Sequence, residues 1–107
     1  MPEDTRAAVL AATSRLVAEM LRRNGLFGED LISVIFTATA DLRSAFPAEA
    51  AREMGLKGVP LLCAAEIDVD GAMARVVRVL MHFESDSLRS DISHVYLEGA
   101  ESLRDDL

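Results

Sequence analysis

The chain has 107 residues, half of them hydrophobic, with 18 acidic against 11 basic residues and a net charge of −7. That length suits one domain with a small core, and the acid excess argues against a nucleic-acid binder, which needs a basic face. The single Cys63 excludes an intrachain disulfide and fits a reducing compartment. No apolar run approaches the roughly 20 residues that span a bilayer, and Met1 to Arg6 lacks signal-peptide character. A cytoplasmic protein is therefore expected.

Residues from Asp4 to Asn24 are predicted to form a helix. Val9, Leu10, Leu16, Val17, Met20 and Leu21, with Thr13 between them, recur at spacings of three and four and make one apolar stripe. Asp4 or Thr5 can cap its start, and Gly25 is a left-handed stop. Gly28-Glu29-Asp30 is a turn. Leu31 to Thr39 is the first strand, rich in β-branched residues. Pro47 opens a short helix, Ala48 to Met54, which Gly55 ends. A second strand runs from Val59 to Ile67, and Asp68-Val69-Asp70-Gly71 turns the chain into a third, Val76 to Met81. Ser85 to Ser93 is polar and loop-like, and a final apolar segment begins at His94-Val95-Tyr96-Leu97.

This order fits an α+β fold, a single sheet with one long helix on one face. The strands read apolar on both faces, Val34 and Phe36 against Ile35, Leu61 and Cys63 against Leu62 and Ala64. So short a chain cannot cover both faces, and a homo-oligomer with sheets packed at its centre is expected.

Arg78 is the most conspicuous residue. It interrupts the apolar run Val76-Val77-Arg78-Val79-Leu80-Met81, which reads as a central strand, and a guanidinium there must be paired or given a polar ligand. Glu66, twelve residues upstream, lies in another apolar strand. The pair reads either as a structural ion pair or as part of a pocket for an anion. No Ser/His/Asp arrangement is apparent around His82 or His94, and one Cys with two scattered His gives no metal spacing. Asp68-Val69-Asp70-Gly71 starts like a calcium loop but lacks the downstream Glu. Arginines, one Tyr, one Glu and one Cys can orient an anion and stabilise charge; they do not make a proton-transfer apparatus.

The stretches Phe36-Thr37-Ala38-Thr39-Ala40-Asp41-Leu42, Phe46-Pro47-Ala48-Glu49-Ala50-Ala51-Arg52 and Val59 through Val69 resemble the monofunctional, trimeric barrel-type chorismate mutases. So do Arg78-Val79-Leu80-Met81, His94-Val95-Tyr96-Leu97-Glu98 and Leu103-Arg104-Asp105-Asp106-Leu107, in matching order over nearly the whole chain. The resemblance implies a mixed sheet with one long helix, a trimeric pseudo-barrel with sites between subunits, and the rearrangement of chorismate to prephenate in aromatic amino-acid biosynthesis, without a cofactor. It also implies roles. Arg78 would face the ether oxygen as negative charge builds there. Glu66, with Cys63 beside it, would accept a hydrogen bond from the ring hydroxyl, and Tyr96 would bond a substrate carboxylate. Phe46 would wall the site from the adjacent subunit, with Arg52 at its rim, while Leu103 and Arg104 would close over it. Taken singly, Phe46, Tyr96 and Cys63 read as packing and Arg52 and Arg104 as solvated; the joint spacing sets them apart.

This sequence departs from the family pattern in three places. Members begin with a strand that carries an arginine; here the sequence starts at the helix, and Arg6 falls inside that helix. An open sheet edge and weakened activity are the expectation, with a non-catalytic ligand-binding or regulatory trimer on the same fold as the alternative. Ala40 stands where a proline is common, and Glu49 puts a negative charge at a rim position where lysine occurs.

Overall fold

The computed structural model describes residues 1 and 3–106, with backbone only for residues 104–106. Helix α1 spans Arg6–Arg23. Thr5 is its cap, the side chain accepting the Ala8 amide at 3.1 Å. Asp4 serves elsewhere: its carboxylate accepts the Arg43 and Ser44 amides, each at 3.1 Å, and ties the loop after the first strand to the start of the helix. At the other end Gly25 takes φ +61°, the left-handed turn that closes the helix. Asn24 donates to the carbonyls of Met20 and Ser93 and accepts the Ser93 amide, so it also clips the later polar loop to α1.

Strand β1 is Leu31–Ala38, helix α2 is Ala48–Glu53, β2 is Leu61–Ala65 and β3 is Val77–Phe83. The sheet has three strands in the order β2-β1-β3, with β1 parallel to β2 and antiparallel to β3. This is the mixed α+β architecture expected from the element order. The central strand, however, is β1. Arg78 lies on β3, at a sheet edge among the described residues. An apolar run signals burial on two faces but does not report the number of hydrogen-bonded neighbours.

Strands β1 and β2 are shorter than their apolar runs, while β3 extends two residues past its own, to Phe83. Pro60 has no amide to give the ladder, so only its carbonyl joins, accepting the Val34 amide at 3.0 Å. At the other end Glu66 still donates to Ala38 at 3.0 Å before β2 turns away. The apolar His94-Val95-Tyr96-Leu97 segment joins no sheet. It lines a groove of about 790 Å³ between β3 and α1, together with Leu16 and Met20.

Register and alternation separate the two faces of the sheet. One face carries Val34 and Phe36, with Leu61, Cys63, Val79 and Met81 as their strand partners. It packs on Val17 of α1 and on Ala48 and Ala51 of α2. The other face carries Ile35 between Leu62 and Leu80, with Thr37 between Ala64 and Arg78. There Leu62 is 60% and Leu80 58% exposed among the described residues.

The stripe of α1 contains a polar fault. Thr13 is fully buried, between Val9 and Val17, and its hydroxyl has no hydrogen-bond partner among the described residues. A buried hydroxyl left unpaired forfeits its hydration without return. Thr13→Val keeps the shape and removes the cost, so it is expected to raise unfolding free energy by about 1 kcal/mol in chemical denaturation. An unchanged or lower value would show that the hydroxyl is satisfied in solution.

Candidate active site

The outer face of the sheet turns polar towards the C-terminal end of β1. Thr37 faces Arg78 across one ladder and Ala64 across the other. Glu66 follows Ala64 by two residues, on the same face. Thr37 Oγ1 donates to Glu66 Oε2 at 2.7 Å, and Arg78 Nε lies 3.2 Å from that same oxygen. Both contacts use Oε2 and neither uses Oε1.

The ion pair is asymmetric: the Glu66 side chain is 14% exposed, the Arg78 side chain 51%. A guanidinium that open gains little stability from its pair. The shortest contact of the pair is made by Nε, on the inner side of the guanidinium. Arg78 borders two hollows. One is the groove along β3, which Tyr96 and Leu103 also line. The other, about 810 Å³, lies beyond the strand ends and is lined by Thr37, Asp41, Arg43, Glu66 and Leu103. The structure thus gathers Arg78, Glu66, Tyr96 and Leu103 around adjoining cavities.

Other residues named from the sequence lie apart. Cys63 pairs in register with Phe36 and packs half-buried against the core. Within the strand Cys63 faces the core, on the side opposite Leu62 and Ala64. Phe46, 66% exposed, precedes α2, and Arg52 is exposed on α2. Neither lines either hollow within one chain. The Arg104 side chain lies outside the described residues. Glu49 is paired with Arg6 at 2.6 Å, so its charge is partly offset by the first residue of α1.

Sequence reasoning missed Thr37 and a clamp at the mouth of the second hollow. The signal for Thr37 was there, a hydroxyl on the outward phase of an otherwise apolar strand. In the clamp, Thr39 Oγ1 donates to Asp41 at 2.6 Å and accepts the Val76 amide at 3.0 Å. Both Asp41 oxygens accept the Arg75 amide, at 3.1 and 3.0 Å. Arg75 holds a left-handed φ of +52°, and its side chain and carbonyl bond Met1 at 3.0 and 2.9 Å. These contacts set the direction in which β3 begins, three residues before Arg78. Among the described residues no three His, Cys, Asp or Glu side chains group closely enough to hold a metal ion.

The protein is a mixed sheet backed by a long helix, with an arginine and a glutamate paired on the sheet's open face. The family model for chorismate mutase type I matches residues 1–107. The chain is 50% identical over 106 residues to chorismate mutase AroH of Thermus thermophilus, covering 98% of this chain and 87% of that protein. It is 38% identical over 105 residues to chorismate mutase AroH of Bacillus subtilis (strain 168), covering 97% and 83% respectively. A solved chorismate mutase from Clostridium thermocellum superposes with a TM-score of 0.93 at 46% identity, covering 94% of this chain and 90% of that one. The chain belongs to the type I chorismate mutase family.

The clamp carries a pH signature. The Thr39 hydroxyl above all, then the Arg75 amide, hold the Asp41 carboxyl below its ordinary value, against an opposing cost of desolvation. A lowered folded-state pKa contributes stability that is complete above the ordinary carboxylate range and lost as pH falls through the folded value. Asp41→Asn is therefore expected to melt below wild type at neutral pH, with the gap closing under acid. A gap that stays constant from pH 7 into the acid range would show that the charge is not what holds the clamp.

Proposed function

We propose that this chain rearranges chorismate to prephenate in a cleft that uses the outer face of its sheet. The observation that carries this reading is the Arg78 guanidinium, held at Nε by Glu66 and open to two adjoining hollows. The reaction breaks a carbon–oxygen bond and forms a carbon–carbon bond within one molecule. It needs no proton transfer. What a protein can supply is a compact substrate geometry and charge placed where charge develops. The Arg78 Nη groups face the ether oxygen in this reading and stabilise its growing negative charge. Glu66 accepts the ring hydroxyl, and Tyr96 bonds a carboxylate. Leu103 and Arg104 close the cleft.

Phe46 and Arg52 enter from a neighbouring copy. Their distance from the hollows within one chain supports that, since a wall supplied in trans has to stand on the outside of its own subunit. The exposed Leu62 and Leu80, flanking half-buried Ile35, support a homotrimer with sheets facing inward. Each chain acts as a single domain, with no nucleic-acid or membrane partner and no cofactor. No described helix is long and apolar enough to cross a membrane, and the enzyme works in the cytoplasm in aromatic amino-acid synthesis.

Two measurements test this. Purified protein is expected to form prephenate, and Arg78→Ala to lose about 3 kcal/mol of transition-state stabilisation, roughly a hundredfold in kcat/KM. Arg78→Lys is expected to fail as well, because a point charge cannot hold Oε2 and face the substrate with a planar fork. Full turnover in the lysine variant would remove Arg78 from the proposed role. Light scattering at micromolar concentration is expected to give a trimer mass; a stable monomer would rule out sites between subunits.

A further inference from the structure

The Glu66 carboxylate has one task in the proposed reaction, accepting the substrate hydroxyl. Its amide still bonds Ala38 at 3.0 Å just past the end of β2, which fixes its backbone but leaves the long side chain to be held by other groups. A glutamate has several rotatable bonds, and leaving it loose would cost rotamer entropy each time substrate bound. Arg78 is a weak anchor for it. The arginine is long and half exposed, its contact is 3.2 Å, and the reaction requires its charge for the ether oxygen.

Thr37 supplies what Arg78 lacks. It is β-branched and therefore stiff at χ1. It lies on the central strand, paired on both sides, so its backbone is fixed by two ladders. Its hydroxyl has one proton and gives it to Glu66 Oε2 at 2.7 Å, the shorter of the two contacts on that oxygen. A hydrogen bond to an ionised oxygen is among the stronger kinds. With Oε2 held from both sides, Oε1 is the oxygen left to meet the substrate.

We infer that Thr37 is a positioning residue for the mutase reaction. It pins Oε2 of Glu66 so that Oε1 is presented to the substrate hydroxyl, and so favours substrates carrying a hydroxyl at that ring position. The inference rests on the reading of Glu66 given above, and Thr37 acts through Glu66 without touching the substrate.

The test is a double-mutant cycle on prephenate formation with Thr37→Val, Glu66→Gln and the double variant, beside Thr37→Ser. Thr37→Val keeps the shape and removes the proton. It is expected to lower kcat/KM roughly tenfold, the worth of one hydrogen bond to a charged group. Thr37→Ser restores the donor and should recover most of the loss. In the Glu66→Gln background Thr37→Val should add little, because the carboxylate it serves is gone. Melting temperatures show whether each variant is folded, and Thr37→Ala replaces Thr37→Val in the cycle if valine disturbs the face.

Three results would overturn the inference while leaving Glu66 in its role. They are unchanged kcat/KM in Thr37→Val, losses that multiply independently in the double variant, or a serine variant as impaired as the valine one. Full activity in Glu66→Gln would instead remove Glu66 from the site, and the inference with it.

Discussion

Strand β1 is bonded on both sides, parallel to β2 and antiparallel to β3, so its alternation is set by two ladders at once. Phe36 and Val34 enter the core, and Ile35 and Thr37 face outward. A slip of one residue against β3 would turn Val79 outward and drive Arg78 under the helices, where a guanidinium cannot be solvated. A slip against β2 would do the same to Glu66. The apolar packing of Phe36 with Cys63 and Val79 therefore fixes where Arg78 and Glu66 stand, although Phe36 and Cys63 line neither hollow.

The rest of the chain supports that register. Helix α1 lays Val9, Thr13 and Val17 inward, and α2 contributes small residues, Ala48, Ala50 and Ala51, that let the two helices approach closely. Loops are tied down by single polar side chains. Asp4 holds the loop after β1, Asn24 holds Ser93, and Asp41 holds the entry to β3. Surface ion pairs such as Glu19 with Arg22 and Arg23 hold the last turn of α1 together, and the two arginines keep the Glu19 carboxyl at about 2. Exposed as they are, such pairs add little to stability.

An acidic protein that binds a dianion needs its positive charge locally. The net charge of −7 repels chorismate at long range, and salt screens that field within about 10 Å. In the proposed cleft the Arg78 guanidinium, paired with Glu66, would act at contact distance. Desolvation strengthens it further, and in the proposed trimer a neighbouring copy supplies the missing wall. The pairing of Arg6 with Glu49 also blunts a negative charge that the sequence places near the proposed rim.

Much was legible in the sequence. Thr5, Gly25 and Gly55 mark the helix ends by chemistry that acts within four residues, and the structure uses all three. The apolar stripe of α1, the mixed α+β class and the family followed from local pattern and residue order, and the association of Arg78 with Glu66 followed from two charges in apolar strands. Other features depended on which strands are neighbours, and chain order does not specify that. The edge position of β3, the packing of half-buried Cys63 against Phe36, the use of Asp4 as a loop clamp and the bond from Thr37 to Glu66 each join residues distant in sequence. Side-chain chemistry acts within a few ångströms, and only the folded sheet brings those residues that close.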